Sequence, residues 1–369
     1  MASRRPLLCL LTGGTNGGAH PRIAKWLRVG FERLGAPFDS VHVESPAGIE
    51  VRGSTRIVRL GTRRLRWAEI SLLRYLSRVQ PKLAIATPIE VAVLALVVSK
   101  VSPSHSDIVP WEQTMVRRHR RPGRFRALPQ LELVTYGGAA AIATTSPDVR
   151  VDLIKHLGRH ANSKRVEVIP NPIDADEIRC LAGSPVRRNG VFRFCAVGRL
   201  THEKGYDILL SAAAVAAPRL GRSWELLIVG GGPLASSLEA QIDTLGLQRH
   251  VRLTGFVDNP YVLMAAADVL VHAARSEGFG LVIGEALSLG LPVIATACPG
   301  GPRAILEEGH SGILVHPGSP EHLADAMVAL ADDKRLRGEL SIRGLERVQA
   351  FAPQVVAERF LSLADALGS

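Results

Sequence analysis

Short apolar runs recur along this 369-residue chain, each stopped by glycine or a polar turn and followed by a stretch with helical spacing. The first is PLLCLLT, which ends at Thr12 before Gly13 and Gly14. A buried parallel strand has this unbroken character, because both of its faces are covered. AHPRIAKWLRVGFERLG follows with a helical period and a terminal Gly35. LAIA, SDIVPW and AAAIATTS come next, again with helix-like stretches between them. This alternation predicts βαβ units and a parallel sheet.

The rhythm breaks at VEVIPNPIDADEI, and the polar tract from Asn171-Pro172 to Asn189-Gly190 reads as a linker over residues 171–190. A second alternating series then begins: VFRFCAVG, WELLIVGGG, HVRLTGF, ADVLVHAA, PVIATA and GILV. The prediction is an α/β chain of two Rossmann-like parallel-sheet domains, residues 1–170 and 191–352, facing a central cleft. Ligands in open α/β sheets bind beyond the carboxyl ends of the strands, so the loops just after the strands are where chemistry belongs.

Charge changes the picture more than composition does. Hydrophobic residues make up 46% of the chain, enough for full cores, and the net charge of +11 is unevenly placed. Residues 1–170 carry +15 and the rest −4. A basic first half attracts phosphates, nucleic acid or anionic lipid headgroups; an Arg-rich surface with no partner accounts for it as well. The cysteines Cys9, Cys180, Cys195 and Cys298 show no CxxC spacing, which points to a reducing compartment and no zinc. The N-terminal apolar run reads as a first strand rather than a signal peptide. Val91–Val98 is only eight apolar residues long, whereas a membrane span needs about twenty. A cytoplasmic protein is expected.

The candidate chemistry sits where the strands end. GGTNGG, Gly13 to Gly18, follows the first strand and would let backbone N–H groups approach an anion, although a structural turn explains it too. It is not GxGxxG, and no acidic ribose partner follows as in a dinucleotide fold. In VGRLTHEKGYDILLSA, Arg199 and Lys204 flank a turn and would clamp a diphosphate, unless they are solvated surface charges. IVGGGPL brings Gly231 close to a ligand or into a sharp turn, and the backbone at Phe256 and Val257 in LTGFVDNP would meet a flat base. In SEGFGLVIGEALSLGLPV, Glu277 falls in a loop after a strand and Glu285 one turn into the next helix. Between them, N–H groups at Gly280 and Leu281 make an anion site. Carboxylates at both ends accept hydroxyls, so sugar, diphosphate and ribose in that order satisfy every element.

These residues resemble the retaining glycosyltransferases of family 4, the glycosyltransferase group 1 type, which have the GT-B fold. The resemblance rests on Glu277-x7-Glu285, GRLTHEKG, VGGGPL, LTGFV, VIPNPID and the N-terminal glycine loop, in that family's order, and covers most of the chain. It implies a metal-independent hexosyl transfer with no cofactor, from a UDP-sugar or GDP-sugar donor to a saccharide or lipid-linked acceptor of envelope or exopolysaccharide synthesis. Arg199 and Lys204 would neutralise the diphosphate, and Glu277 would contact the donor sugar. Phe279, Gly280 and Leu281 would offer backbone to sugar and phosphate, Glu285 would hold ribose, and Gly17 and Gly18 would lie over the phosphate. The tail PQVVAERFLSLADAL, within residues 353–369, would be the helix that crosses back onto the first domain.

Two features depart from that pattern or compete with it. The family often has a histidine in the loop after the strand resembling DIVPWEQT; here Gln113 stands there, after Glu112, as the expected sugar or acceptor contact. Asp174-Ala175-Asp176 is a DxD, read as linker rather than as a metal site. For the acceptor, RRHRRPGRFR (Arg117 to Arg126) and RRLRWAEISLLRYLSRV (Arg63 to Val79) suggest a peripheral anionic membrane surface, or simply solvated faces. The rivals are a nucleotide-sugar epimerase of similar shape, which the Glu-x7-Glu segment argues against, a nicotinamide dehydrogenase, which lacks its glycine fingerprint, and a nucleotide-binding protein without transferase activity. A nucleic-acid partner is not expected, since no module for one is recognisable.

Overall fold

The computed structural model describes residues 7–13, 19–62, 67–116, 128–158, 165–184 and 190–368. The chain divides into two compact units, Met1–Ile173 with Phe351–Ser369, and Asp174–Ala350.

Unit 1 runs β1 (Leu8–Thr12), α1 (His20–Arg33), β2 (Phe38–Glu44), β3 (Gly48–Arg52), β4 (Thr55–Thr62), α2 (Glu69–Val79), β5 (Leu83–Ala86), α3 (Ile89–Ser99), β6 (Asp107–Glu112), α4 (Leu128–Tyr136), β7 (Ala141–Thr144), α5 (Pro147–Leu157) and β8 (Arg165–Val168). The strand order is β3-β4-β2-β1-β5-β6-β7-β8. All neighbours are parallel except the edge hairpin β3–β4. β1, β5 and β7 are buried along their whole length, as strands covered by helices on both faces must be. The hairpin is the departure from the expected parallel sheet. The apolar-run pattern passes over residues 38–62 because β2 carries polar residues inside the fold. Asp39 is fully buried there, and it is held by Arg56 Nε (2.7 Å) and by the Tyr75 hydroxyl (2.7 Å). A buried carboxylate is tolerated when it is paired and hydrogen-bonded in this way.

Unit 2 contains α6 (Ala175–Ala182), β9 (Phe192–Val197), α7 (Tyr206–Ala216), β10 (Trp224–Val229), α8 (Ala235–Thr244), β11 (Val251–Gly255), α9 (Tyr261–Ala265), β12 (Val269–His272), α10 (Leu281–Ser288), β13 (Val293–Thr296), α11 (Pro302–Ile305), β14 (Ile313–Val315), α12 (Pro320–Asp332) and α13 (Lys334–Arg347). Its sheet is wholly parallel, ordered β11-β10-β9-β12-β13-β14. The chain builds outward from β9 in one direction, then returns to lay β12 on the other side. The gap between β9 and β12 is therefore the topological switch point, where strand-end loops diverge and leave room for a ligand.

Residues 171–190 are not a plain linker, because α6 lies among them and belongs to unit 2. Asp174 caps this helix, its carboxylate accepting the Glu177 N–H at 3.3 Å. Ile178 and Ala182 are buried on its inner face, and Arg179 Nε donates to the Ser288 carbonyl at 2.9 Å. An Asp-led polar tract hides such a helix start, since Asp serves equally in turns and caps. Of the DxD, Asp174 caps the helix, and Asp176, largely exposed, sits 3.3 Å from Arg179. The closing helix, α14 (Pro353–Leu367), is part of unit 1 and packs on α1. Its Phe360 meets Trp111 edge-on with ring centroids 5.0 Å apart.

Candidate functional site

The switch point of unit 2 gathers charged side chains from two loops. After β9, a short turn at His202–Lys204 ends in Gly205 at φ 65°. A side chain at Gly205 would strike the carbonyl of Ala273, so only glycine lets this turn lie against the loop that follows β12. Arg275 clasps the two loops together. Its guanidinium donates to both oxygens of Asp207 at 2.7 and 2.6 Å and to the His202 carbonyl at 2.9 Å. Its own N–H donates to the Glu203 carbonyl at 2.8 Å. Lys204 is thus delivered to Glu277: its ammonium bonds Glu277 Oε1, with the two side chains 24% and 12% exposed. His272, the last residue of β12, places Nε2 2.9 Å from the same oxygen.

Burial alone would raise the Glu277 carboxyl, but the Lys204 ammonium and the bond from His272 outweigh it and hold the group well below the usual carboxylate range. Glu277 is therefore an anion. Its Oε2 takes no hydrogen bond among the described residues and is left to accept one from a ligand. The Glu277 N–H donates to the Pro299 carbonyl at 3.0 Å. A Cβ on Gly301 would collide with the carbonyl of Phe279, so the 276–280 loop and the loop after β13 touch backbone to backbone.

Gly280, at φ 93°, opens α10. The N–H groups of the first turn have no partner within the helix and, with the helix dipole, favour an anion. Leu281 is half-buried, while the Phe279 side chain is buried and leaves only its backbone for contact. Glu285 lies one turn in and is 2% exposed. Arg199 is exposed and forms no ion pair among the described residues. The Gly231 carbonyl accepts the Leu200 N–H at 3.0 Å, and a Cβ there would lie 3.6 Å from the Cβ of Phe256. Phe256 is 78% exposed and Val257 half-buried. The structure thus joins Lys204 directly to Glu277 and sets Gly231 beside Phe256. Gly17, Gly18 and Arg117–Arg126 lie outside the described residues, as do Arg63–Arg66 at the start of the basic amphipathic stretch. Of the rest, Trp67 is exposed ahead of α2, and within α2 Ile70 is exposed while Leu72, Tyr75 and Leu76 are buried.

In unit 1, Glu112 closes β6 and Gln113 follows it, and the two face different surroundings. Glu112 is buried and accepts the Tyr136 hydroxyl. Burial pushes its carboxyl up to about 7, against the opposing pull of the Tyr136 bond, with Glu90 raising it further. Its carboxylate is turned to Tyr136, which is itself buried. Gln113 is different: both atoms of its amide are buried with no hydrogen-bond partner. The neighbouring strands and helix end alike, with Thr87 Oγ1 after β5, Thr145 Oγ1 after β7, Asn171 Oδ1 after β8 and His20 Nε2 at the start of α1, all buried and unpartnered. Buried polar groups are nearly always satisfied, so a row of exceptions along one sheet end suits a hydroxyl-rich ligand.

Sequence reasoning missed His272 and Arg275. A lone polar residue closing the apolar run VLVH was the available signal for the first. Nothing in the sequence pairs Arg275 with Asp207.

Residues 184–347 match the family of glycosyl transferases group 1. An uncharacterized glycosyltransferase of Methanocaldococcus jannaschii is 31% identical over 222 residues, covering 51% of this chain and 54% of that protein. The N-acetylgalactosamine-N,N'-diacetylbacillosaminyl-diphospho-undecaprenol 4-alpha-N-acetylgalactosaminyltransferase of Campylobacter jejuni is 29% identical over 216 residues, covering 58% and 57%. The chain thus spans about half the length of the curated relatives it matches. HepE of Anabaena, solved in complex with UDP, superposes with a TM-score of 0.76 at 20% identity over 98% of this chain and 100% of that one. Among the described residues, no helix is long and apolar enough to cross a membrane. The chain carries the glycosyl transferases group 1 sequence pattern across residues 184–347, and its fold is the GT-B fold of the Anabaena protein, matched over 98% of the chain.

Proposed function

We propose that the protein is a glycosyltransferase that moves a sugar from a nucleoside-diphosphate sugar to a hydroxyl acceptor, with retention of configuration. The observation that carries this reading is the Lys204–Glu277–His272 cluster beside the N-terminus of α10 at the switch point of unit 2. Cations and helix N–H groups there suit a diphosphate, and an ionised carboxylate with an open oxygen suits a sugar hydroxyl. As the glycosidic bond breaks, the sugar carbon becomes oxocarbenium-like and negative charge grows on the departing phosphate oxygen. Arg199 and Lys204 meet that charge. Losing one such group costs about 3 kcal/mol, or roughly 100-fold in rate. Glu277 Oε2 accepts a donor-sugar hydroxyl, Glu285 holds ribose, and backbone at Gly280 and Leu281 holds phosphate. Gly231, Phe256 and Val257 border the base.

The acceptor lies against the unpartnered row that includes Gln113, Thr87 and Thr145. A lipid-linked saccharide is the class favoured, from the basic first half of the chain and from the diphospho-undecaprenol in the Campylobacter enzyme's name. That acceptor puts the protein at an anionic membrane face. UDP is a leading donor nucleotide because Anabaena HepE binds it.

The test is thermal stabilisation by UDP, GDP, ADP and NAD. One nucleoside diphosphate should stabilise the protein and NAD should not. Stabilisation by NAD alone would overturn the reading.

A further inference from the structure

β12 is the sequence VLVH, and all of its residues are buried. Three are aliphatic, as the centre of a parallel sheet requires. The fourth, His272, has a side chain only 5% exposed. An imidazole in that position loses its water and must recover a hydrogen bond inside the protein. It makes one, from Nε2 to Glu277 Oε1 at 2.9 Å, while Nδ1 is buried without a partner. Facing a carboxylate, Nε2 must carry the proton.

The same oxygen also receives Lys204. Two donors on one acceptor are more than an isolated Glu277 needs, and they differ in kind. His272 is fixed in a strand. Lys204 stands on a turn at the end of a four-carbon stem with three donors, and can swing. Only the lysine can serve a second anion.

We propose that His272 is a positioning residue that keeps the Glu277 carboxylate in place when Lys204 is drawn to the diphosphate of the donor. This rests on the donor site assigned above. His272 lets one ammonium be shared between two anions: the diphosphate takes Lys204 without stranding a buried carboxylate. Without His272, the diphosphate has to compete with Glu277 for its last partner. Nucleoside-diphosphate affinity then falls, although His272 never touches the nucleotide.

The experiment is calorimetric titration of UDP, GDP and ADP into the wild type, Lys204→Ala, His272→Asn, His272→Gln and the double variant His272→Asn/Glu277→Gln, with thermal stability recorded for each. Asparagine draws its amide short of Oε1, whereas glutamine keeps an N–H at the reach of Nε2. His272→Asn is expected to weaken the binding nucleotide roughly tenfold or more, the value of one hydrogen bond to a charged group. His272→Gln should bind within a few-fold of the wild type. The double variant should recover affinity, because a neutral amide in place of the Glu277 carboxylate no longer retains Lys204. A residue that merely fills space would alter stability without this rescue. If the wild type and Lys204→Ala behave as proposed but His272→Asn binds normally, or the double variant fails to recover, the role of His272 is overturned and the donor site stands. If the wild type binds none of the three nucleotides, the donor site falls and this inference with it.

Discussion

Replacing Lys204 with alanine separates what the lysine does for the fold from what it does for a ligand. The ammonium and the Glu277 carboxylate are 24% and 12% exposed, a mostly buried pair. Removing one partner of a fully buried pair costs about 3–5 kcal/mol. Here water reaches the lysine, and His272 still serves Glu277 Oε1, so about 2 kcal/mol is the appropriate order. For a unit the size of Asp174–Ala350, each kcal/mol moves the melting temperature by about 2–4 °C, so Lys204→Ala should melt about 4–8 °C lower. A nucleoside diphosphate at 100 times its Kd adds about 2.7 kcal/mol to the wild type, and Lys204→Ala should lose that gain. Adding Glu277→Gln removes the stranded charge, so the double variant should regain most of the ligand-free stability and none of the ligand response. The pH dependence has a definite sign. A carboxylate held low contributes stability that is full above its unfolded pKa, about 4.3, and is lost as pH falls below it. The gap between wild type and variant should therefore narrow below about pH 4. Scanning calorimetry with and without UDP, GDP or ADP reads all of this. A Lys204→Ala protein with unchanged melting and an intact ligand shift would refute both the pairing and the donor role.

Glu285→Ala should abolish sugar transfer while leaving far-ultraviolet circular dichroism unchanged; near-normal turnover would remove Glu285 from the donor site. Transfer should persist in excess EDTA, and strict dependence on Mn²⁺ would return the Asp174-Ala175-Asp176 motif to consideration. In unit 1 the pH sign is opposite to that of Glu277. Burial raises Glu112 to about 7 and Glu132 to about 8, the latter further lifted by Glu112. The folded unit holds more protons than the unfolded chain between about pH 4.5 and 8, so stability should decline as pH rises through that window. Glu132→Gln should flatten the melting-temperature profile there, and an unchanged slope would show that Glu132 ionises normally.

What could be read from the sequence follows physical lines. β1, β5, β7, β12 and β13 are buried runs, apolar up to their last residue and stopped by turns, because parallel strands under helices have nowhere to expose a polar side chain, whereas β11 at the sheet edge leaves Arg252 exposed. β2 escaped because Asp39, Ser40 and His42 are interior residues whose partners, such as Arg56 and Tyr75, lie far along the chain. α6 escaped because the Asp174 that starts it reads equally as a turn. The site divides in the same way. Lys204, Glu277 and Glu285 were singled out because they lie in or after loops at strand ends, where an open sheet binds ligands, and the structure brings Lys204 and Glu277 into contact. Glu112 and Gln113 are adjacent and looked equivalent, yet the pleat turns one to Tyr136 in the core and leaves the other with a buried, unpartnered amide. Only a fold decides which of two neighbours finds a partner in the core. His272 is the sharper case. Its value lies in sharing one oxygen with a lysine from a different strand-end loop, and no local pattern encodes that. Contacts of this kind depend on which strands the topology makes neighbours. β9 and β12 pair directly, although β10, β11 and the helices around them come between the two along the chain. The motif residues Lys204 and Glu277 can thus be picked out along the chain, whereas the contact that joins them to His272 is found only once β9 and β12 lie side by side.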